Sequence, residues 1–84
     1  MRNSKVDMHQ AGQRLRELRG IRTRTGVSKV LGIPYSTLQS YEDGKREPTD
    51  GIKRKLAAYY GVSPEEIFFT ENNYKKYYKN GEEQ

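Results

Sequence analysis

Five neighbouring side chains, Tyr35, Ser36, Thr37, Gln39 and Ser40, set the chemical question. All present hydrogen-bonding atoms and none is acidic or basic at neutral pH. The Gln39 amide donates and accepts at once, which matches the N6 and N7 edge of adenine. Ser36, Thr37 and Ser40 give or take single hydrogen bonds, and the Thr37 methyl can touch a thymine methyl. Tyr35 can reach a base or a phosphate through its hydroxyl. A carboxylate on this stretch would be repelled by phosphate, and none is there. The chemistry offered is contact with base edges rather than bond breaking. No nucleophile–base pair, metal cluster or glycine-rich phosphate loop is present, so no enzyme activity and no cofactor is expected. Glu42 stands without a base or metal partner and reads as structural. There is no cysteine and one histidine, which excludes a thiolate zinc site and a disulfide scaffold. His9 reads as a solvated helix residue, and no metal is expected.

Five short helices would have to position these groups. Glycines and prolines cut the chain into pieces of helical length, with apolar residues three and four apart. The first helix runs from about Met8 to Arg19, with Met8, Ala11, Leu15 and Leu18 on one face. Arg14, Arg16 and Glu17 lie off that face, in solvent. The second starts after the capping hydroxyl of Thr23. Val27, Val30 and Leu31 are its buried face, and Ser28 is small enough to face a neighbouring helix. Gly26 weakens it by about 1 kcal/mol relative to alanine, and Gly32 ends it. The third begins near Pro34 or Tyr35 and turns Leu38 and Tyr41 inward, before an Asp43-Gly44 turn. Thr49 caps the fourth, Asp50 suits its dipole, and Ile52, Leu56, Tyr59 and Tyr60 form its stripe up to Gly61. Ser63-Pro64-Glu65-Glu66 is a capping box opening a fifth helix. Ile67 and one or both of Phe68 and Phe69 return to the core. In the tail, Tyr74, Tyr77 and Tyr78 would form one aromatic face if helical.

Composition narrows the partner. With 84 residues the chain is one domain with a modest core. The net charge is +5, and Lys75, Lys76 and Lys79 balance Glu71, Glu82 and Glu83 in the tail, so the excess lies in residues 1–69. A compact basic domain suits a nucleic acid. No apolar run reaches the roughly 18 residues of a membrane span and the first residues lack a secretory h-region, so a cytoplasmic protein is expected.

Residues 23–48, TRTGVSKVLGIPYSTLQSYEDGKREP, read as helix, glycine turn, helix and basic loop. Two helices joined by such a turn make a helix-turn-helix, whose second helix fits a major groove about 12 Å wide. Together with LRELRG at 15–20 and AAYYGVSPEEIFF at 57–69, this stretch resembles the XRE/Cro-repressor family, the lambda-repressor-like fold, over roughly residues 8–69. The resemblance implies an all-α, five-helix domain whose third helix reads DNA. It makes Tyr35, Ser36, Thr37, Gln39 and Ser40 base readers. Thr23 and Arg24, at the start of the second helix, and Lys45 and Arg46, in the loop, become phosphate contacts, joined by the free amides of the second helix. It also pairs Glu42 with an arginine of the first helix, for which Arg19 is the candidate. The chain departs from the common family pattern at the short link between the first two helices, at Gly26 and Ser28, and at Pro34, where a capping Ser or Thr is usual.

The expected organisation is an N-terminal extension over 1–7, the DNA-binding domain over 8–69 and a polar tail over 70–84. The expected function is a transcriptional regulator, a repressor of phage or mobile-element type. It would bind double-stranded DNA as a homodimer on a near-palindromic operator, with half-sites about one helical turn apart. No sensory domain is expected after residue 69. Lys53, Arg54 and Lys55 read as a solvated basic face. The rival expectation is an antitoxin or other interaction module on the same fold, holding a protein partner through the tail.

Overall fold

The computed structural model describes residues 6–68. Among them are five helices and no strand: α1 (Met8–Arg19), α2 (Arg24–Leu31), α3 (Tyr35–Glu42), α4 (Asp50–Tyr60) and α5 (Pro64–Phe68). Local chemistry sets most boundaries. The Asp7 carboxylate accepts from the His9 and Gln10 amides at the start of α1. Thr23 Oγ1 accepts from Gly26 N at 3.0 Å to open α2, and Thr49 Oγ1 from Ile52 N to open α4. Ser63 and Glu66 form the reciprocal capping box expected before α5. Pro34, by contrast, offers α3 no side-chain cap, so the first-turn amides of α3 lack the side-chain acceptor that Thr23 and Thr49 give α2 and α4.

The helix ends on either side of α3's sequence, at Gly32 and Gly44, use left-handed glycines. Gly32, with φ 69°, closes α2, and the Gly32 and Ile33 amides return to Ser28 O. Gly44, with φ 75°, closes α3 in a Schellman arrangement, Lys45 N to Ser40 O and Gly44 N to Tyr41 O. The α2–α3 turn is therefore Gly32-Ile33-Pro34. Ile33 is buried and pins it to the core, and the Ser28 hydroxyl donates to Ile33 O at 2.5 Å. The small residue at 28 thus has a polar task that alanine lacks.

The core joins Ala11 and Leu15 of α1, Val27 and Leu31 of α2, Leu38 and Tyr41 of α3, Leu56 and Ala57 of α4, and Ile67 and Phe68 of α5. Val30, expected in the buried face of α2, is 67% exposed. At about 100° per residue, Arg24, Val27, Ser28 and Leu31 share one stripe and Val30 lies about 60° beyond its edge. Ile52, Tyr59 and Tyr60 only pack against the core's margin. Arg14 is half-buried rather than solvated. Arg16 keeps solvent access but bonds Asp43 Oδ1 at 3.0 Å. Phe69 and the tail tyrosines lie outside the described residues.

Packing of α1 on α3 depends on Gly12, a buried residue. A Cβ there would stand 2.3 Å from Glu42 O and 2.8 Å from Tyr41 O. Only glycine lets the α3 backbone come this close to α1. A Cβ on Gly44 would also meet Met8 O at 3.0 Å, so the loop after α3 lies tight against the start of α1.

Candidate nucleic-acid interface

Helix α3 turns two faces in different directions. Leu38, Tyr41 and Glu42 are buried. Ser36 and Ser40 lie about 160° on either side of Leu38, with Thr37 and Gln39 flanking them at about 100°. Ser36 is exposed, Thr37, Gln39 and Ser40 are partly so, and Tyr35 is 45% exposed. All five expected base readers therefore reach the surface on one helix, with no charged side chain among them.

The opposite face holds a buried ion cluster. Glu42 is 2% exposed. Arg19 grips it with two bonds, Nε to Oε2 at 2.8 Å and Nη2 to Oε1 at 3.1 Å, so the expected α1 partner is in place. Arg24 adds Nε to Oε1 at 2.8 Å. Burial alone would raise the Glu42 pKa, but the hydrogen bonds and charges of Arg19 and then Arg24 outweigh it and hold the carboxyl below its ordinary value. One carboxylate thus ties α1, α2 and α3 together at a single point.

Arg24 accordingly does not point freely outward. It occupies the inward stripe of α2 with Val27 and Leu31. The Glu42 carboxylate, above all, with the nearby Tyr35 hydroxyl, favours its charged form and raises its pKa above the ordinary value. The sequence carried this signal, because position 24 precedes Val27 by three residues and Leu31 by seven.

The remaining charges divide by partner. Asp43 pairs with Arg16, and Glu47 with Lys53 at 2.7 Å. Lys53 is nearly buried and its Nζ lies 5.5 Å from the Phe68 ring centroid. Lys55 Nζ donates to Leu31 O at 2.9 Å, closing the C-terminal end of α2. The run at 53–55 is therefore not a uniform solvated face: two of its three cations are engaged in the fold. Lys45 and Arg46 are exposed, and among the described residues no carboxylate pairs with them. They begin immediately after the left-handed Gly44, at the end of α3. Thr23 uses its oxygen as an acceptor for its own helix and keeps its hydroxyl proton available.

Beyond this face, Arg22 lies over the rings of Tyr59 and Tyr60, 5.4 and 5.8 Å from their centroids. Burial, then the nearby Glu42 charge, pushes the Tyr60 phenol up to about 12, so it stays neutral. No cluster of metal-ligating side chains occurs among the described residues. No described helix is long and apolar enough to cross a membrane.

A helix-turn-helix family model matches residues 13–67, from the middle of α1 into α5. The chain belongs to the XRE-type helix-turn-helix family. As a member of it, this helix-turn-helix protein is a DNA-binding regulator of transcription. It is 33% identical over 51 residues to a Methanocaldococcus jannaschii protein named as an uncharacterized HTH-type transcriptional regulator, an alignment covering 61% of this chain and 77% of the relative. No solved structure matches the chain significantly.

Proposed function

We propose that this protein is a sequence-specific repressor that reads double-stranded DNA with the outward face of α3. One observation carries the reading: an uncharged, hydrogen-bonding face on a single helix, followed directly by two exposed cations without acidic partners. Gln39, with Ser36, Thr37 and Ser40, supplies base contacts. Tyr35, at the start of the helix, reaches a base or a phosphate. Lys45, Arg46, the Thr23 hydroxyl and the free amides at the start of α2 hold phosphates and set the register. Arg24 joins them as a pre-oriented group, with Nε fixed by Glu42 and the rest of its guanidinium directed by that anchor. The protein acts as a homodimer on a near-palindromic operator of phage or mobile-element type, excluding polymerase by occupancy.

The test is fluorescence anisotropy against a pool of randomised duplexes at two salt concentrations, with the bound fraction sequenced. A short two-fold-symmetric motif, with affinity falling steeply as salt rises, is the expected result. Weak binding at low salt with no enriched motif would refute sequence-specific reading. An enriched motif without two-fold symmetry would refute the homodimer while leaving the reading helix in place.

A further inference from the structure

On another side of α1 lies an open groove of about 270 Å³, lined by Arg14, Glu17 and Leu18 of α1, Val62 of the α4–α5 turn and Glu66 of α5. Its composition is unusual for an idle surface. Arg14 Nη1 is buried and has no hydrogen-bond partner in the described structure. An unmatched buried donor costs about 1–3 kcal/mol, so the groove calls for an acceptor. The acceptor should be neutral, because the Glu17 and Glu66 carboxylates line the same groove and would repel an anion. Leu18 and Val62 ask for an apolar body attached to that acceptor. Glu65 and Glu66, exposed on α5, favour cations alongside it. A phenol flanked by lysines satisfies all of these requirements together.

The chain carries such a segment a few residues after α5 in sequence. Residues 74–79 read Tyr-Lys-Lys-Tyr-Tyr-Lys, with three phenols and three cations. Phe68 ends α5, and α5 itself contributes Glu66 to the groove. Five residues, 69–73, separate Phe68 from Tyr74, and the six steps from Phe68 to Tyr74 span up to about 20 Å when extended. Glu66 lies only two residues back along α5, about 3 Å of helix rise. The reach therefore suffices within one molecule.

We infer that the segment 74–79 docks into its own α1–α5 groove, placing a tyrosine ring against Leu18 and Val62 with its hydroxyl accepting from Arg14 Nη1. Its lysines then face Glu17, Glu65 and Glu66. The segment straps α5 to α1 on a face separate from the base-reading residues of α3, and this assignment stands independently of how DNA is bound.

The experiment is NMR on the full-length protein, using a mixture of isotope-labelled and unlabelled chains to separate contacts within a molecule from contacts between molecules. The expected result is intramolecular NOEs from the ring protons of Tyr74, Tyr77 or Tyr78 to Leu18 and Val62 methyls. These NOEs should vanish in a Tyr74→Ser/Tyr77→Ser/Tyr78→Ser variant whose helical-domain spectrum is otherwise kept. Ring-to-methyl NOEs seen only between molecules would overturn the docking within one chain in favour of exchange between copies. Random-coil shifts throughout 74–79, with no such NOEs, would overturn the docking altogether.

Discussion

The two ends of one short stretch, Glu42 and the pair Lys45-Arg46, do opposite things with charge. Glu42 is sealed between three helices and satisfied by two arginines. Three residues later, Lys45 and Arg46 stand in solvent with no acidic partner among the described residues. The difference comes from Gly44. Its left-handed conformation ends α3 and turns the chain out of the helix, so the residues that follow cannot continue the buried stripe. Charge is structural at Glu42 and solvent-facing at Lys45 and Arg46. Inside the seam, ionisation holds the domain together. Outside it, the cations without partners are those that the proposed function assigns to phosphate.

The largest effect is expected where α1 meets α3. Gly12→Val places side-chain atoms where the Glu42 carbonyl stands, and a backbone neighbour cannot move aside cheaply. The expected loss exceeds about 3 kcal/mol, at or beyond the upper end of overpacking penalties, and urea denaturation would measure it. Glu42→Gln keeps the shape but leaves Arg19 and Arg24 without their anion. About 2–3 kcal/mol should be lost, somewhat below the cost of orphaning fully buried charges because both arginines retain some solvent access.

Acid sharpens the same point. The folded state holds the Glu42 pKa below the unfolded value near 4.5. Its contribution to stability is therefore complete above that value and fades as pH falls below it, through the folded pKa. The difference in stability between wild type and Glu42→Gln should shrink as pH falls below about 4.5. A difference independent of pH would mean that the carboxylate charge does not hold the seam.

The outer side should respond in binding alone. Gln39→Ala should cost about 1–3 kcal/mol on the preferred site and relax preference at one base pair, with little change in unfolding. Lys45→Ala should weaken all sequences alike and flatten the salt dependence by about one unit. If the two substitutions gave the same profile in a salt titration over matched and mismatched duplexes, the division between base reading and phosphate holding would fail.

Much of this molecule was legible before any tertiary contact was known, and the parts that were not share a cause. Helix ends were legible because caps act within a few residues: Thr23 on Gly26, Thr49 on Ile52, Ser63 with Glu66, and Gly32 and Gly61 after the last apolar residue. The outward face of α3 was legible because Leu38 and Tyr41 define the inward direction of the helix and leave Ser36, Thr37, Gln39 and Ser40 outside. A resemblance across three motifs named the fold and pointed from Glu42 to Arg19.

Tertiary structure alone decided the rest. Gly12 looks in sequence like a mere weak point of a helix, and its value appears only when the α3 carbonyls arrive beside it. Val30 has an apolar side chain and helical spacing, yet the neighbours of α2 cover only the stripe centred on Val27 and Leu31. The run Lys53-Arg54-Lys55 has one composition but separate fates, because Glu47 and the end of α2 lie beside only two of its members. Capping and periodicity are short-range and repeat along the chain, so sequence determines them. Close approach and the choice of a charge's partner depend on residues beyond the reach of a cap or a helical turn, from 6 positions for Lys53 and Glu47 to 24 for Lys55 and Leu31, and only the folded packing brings those together.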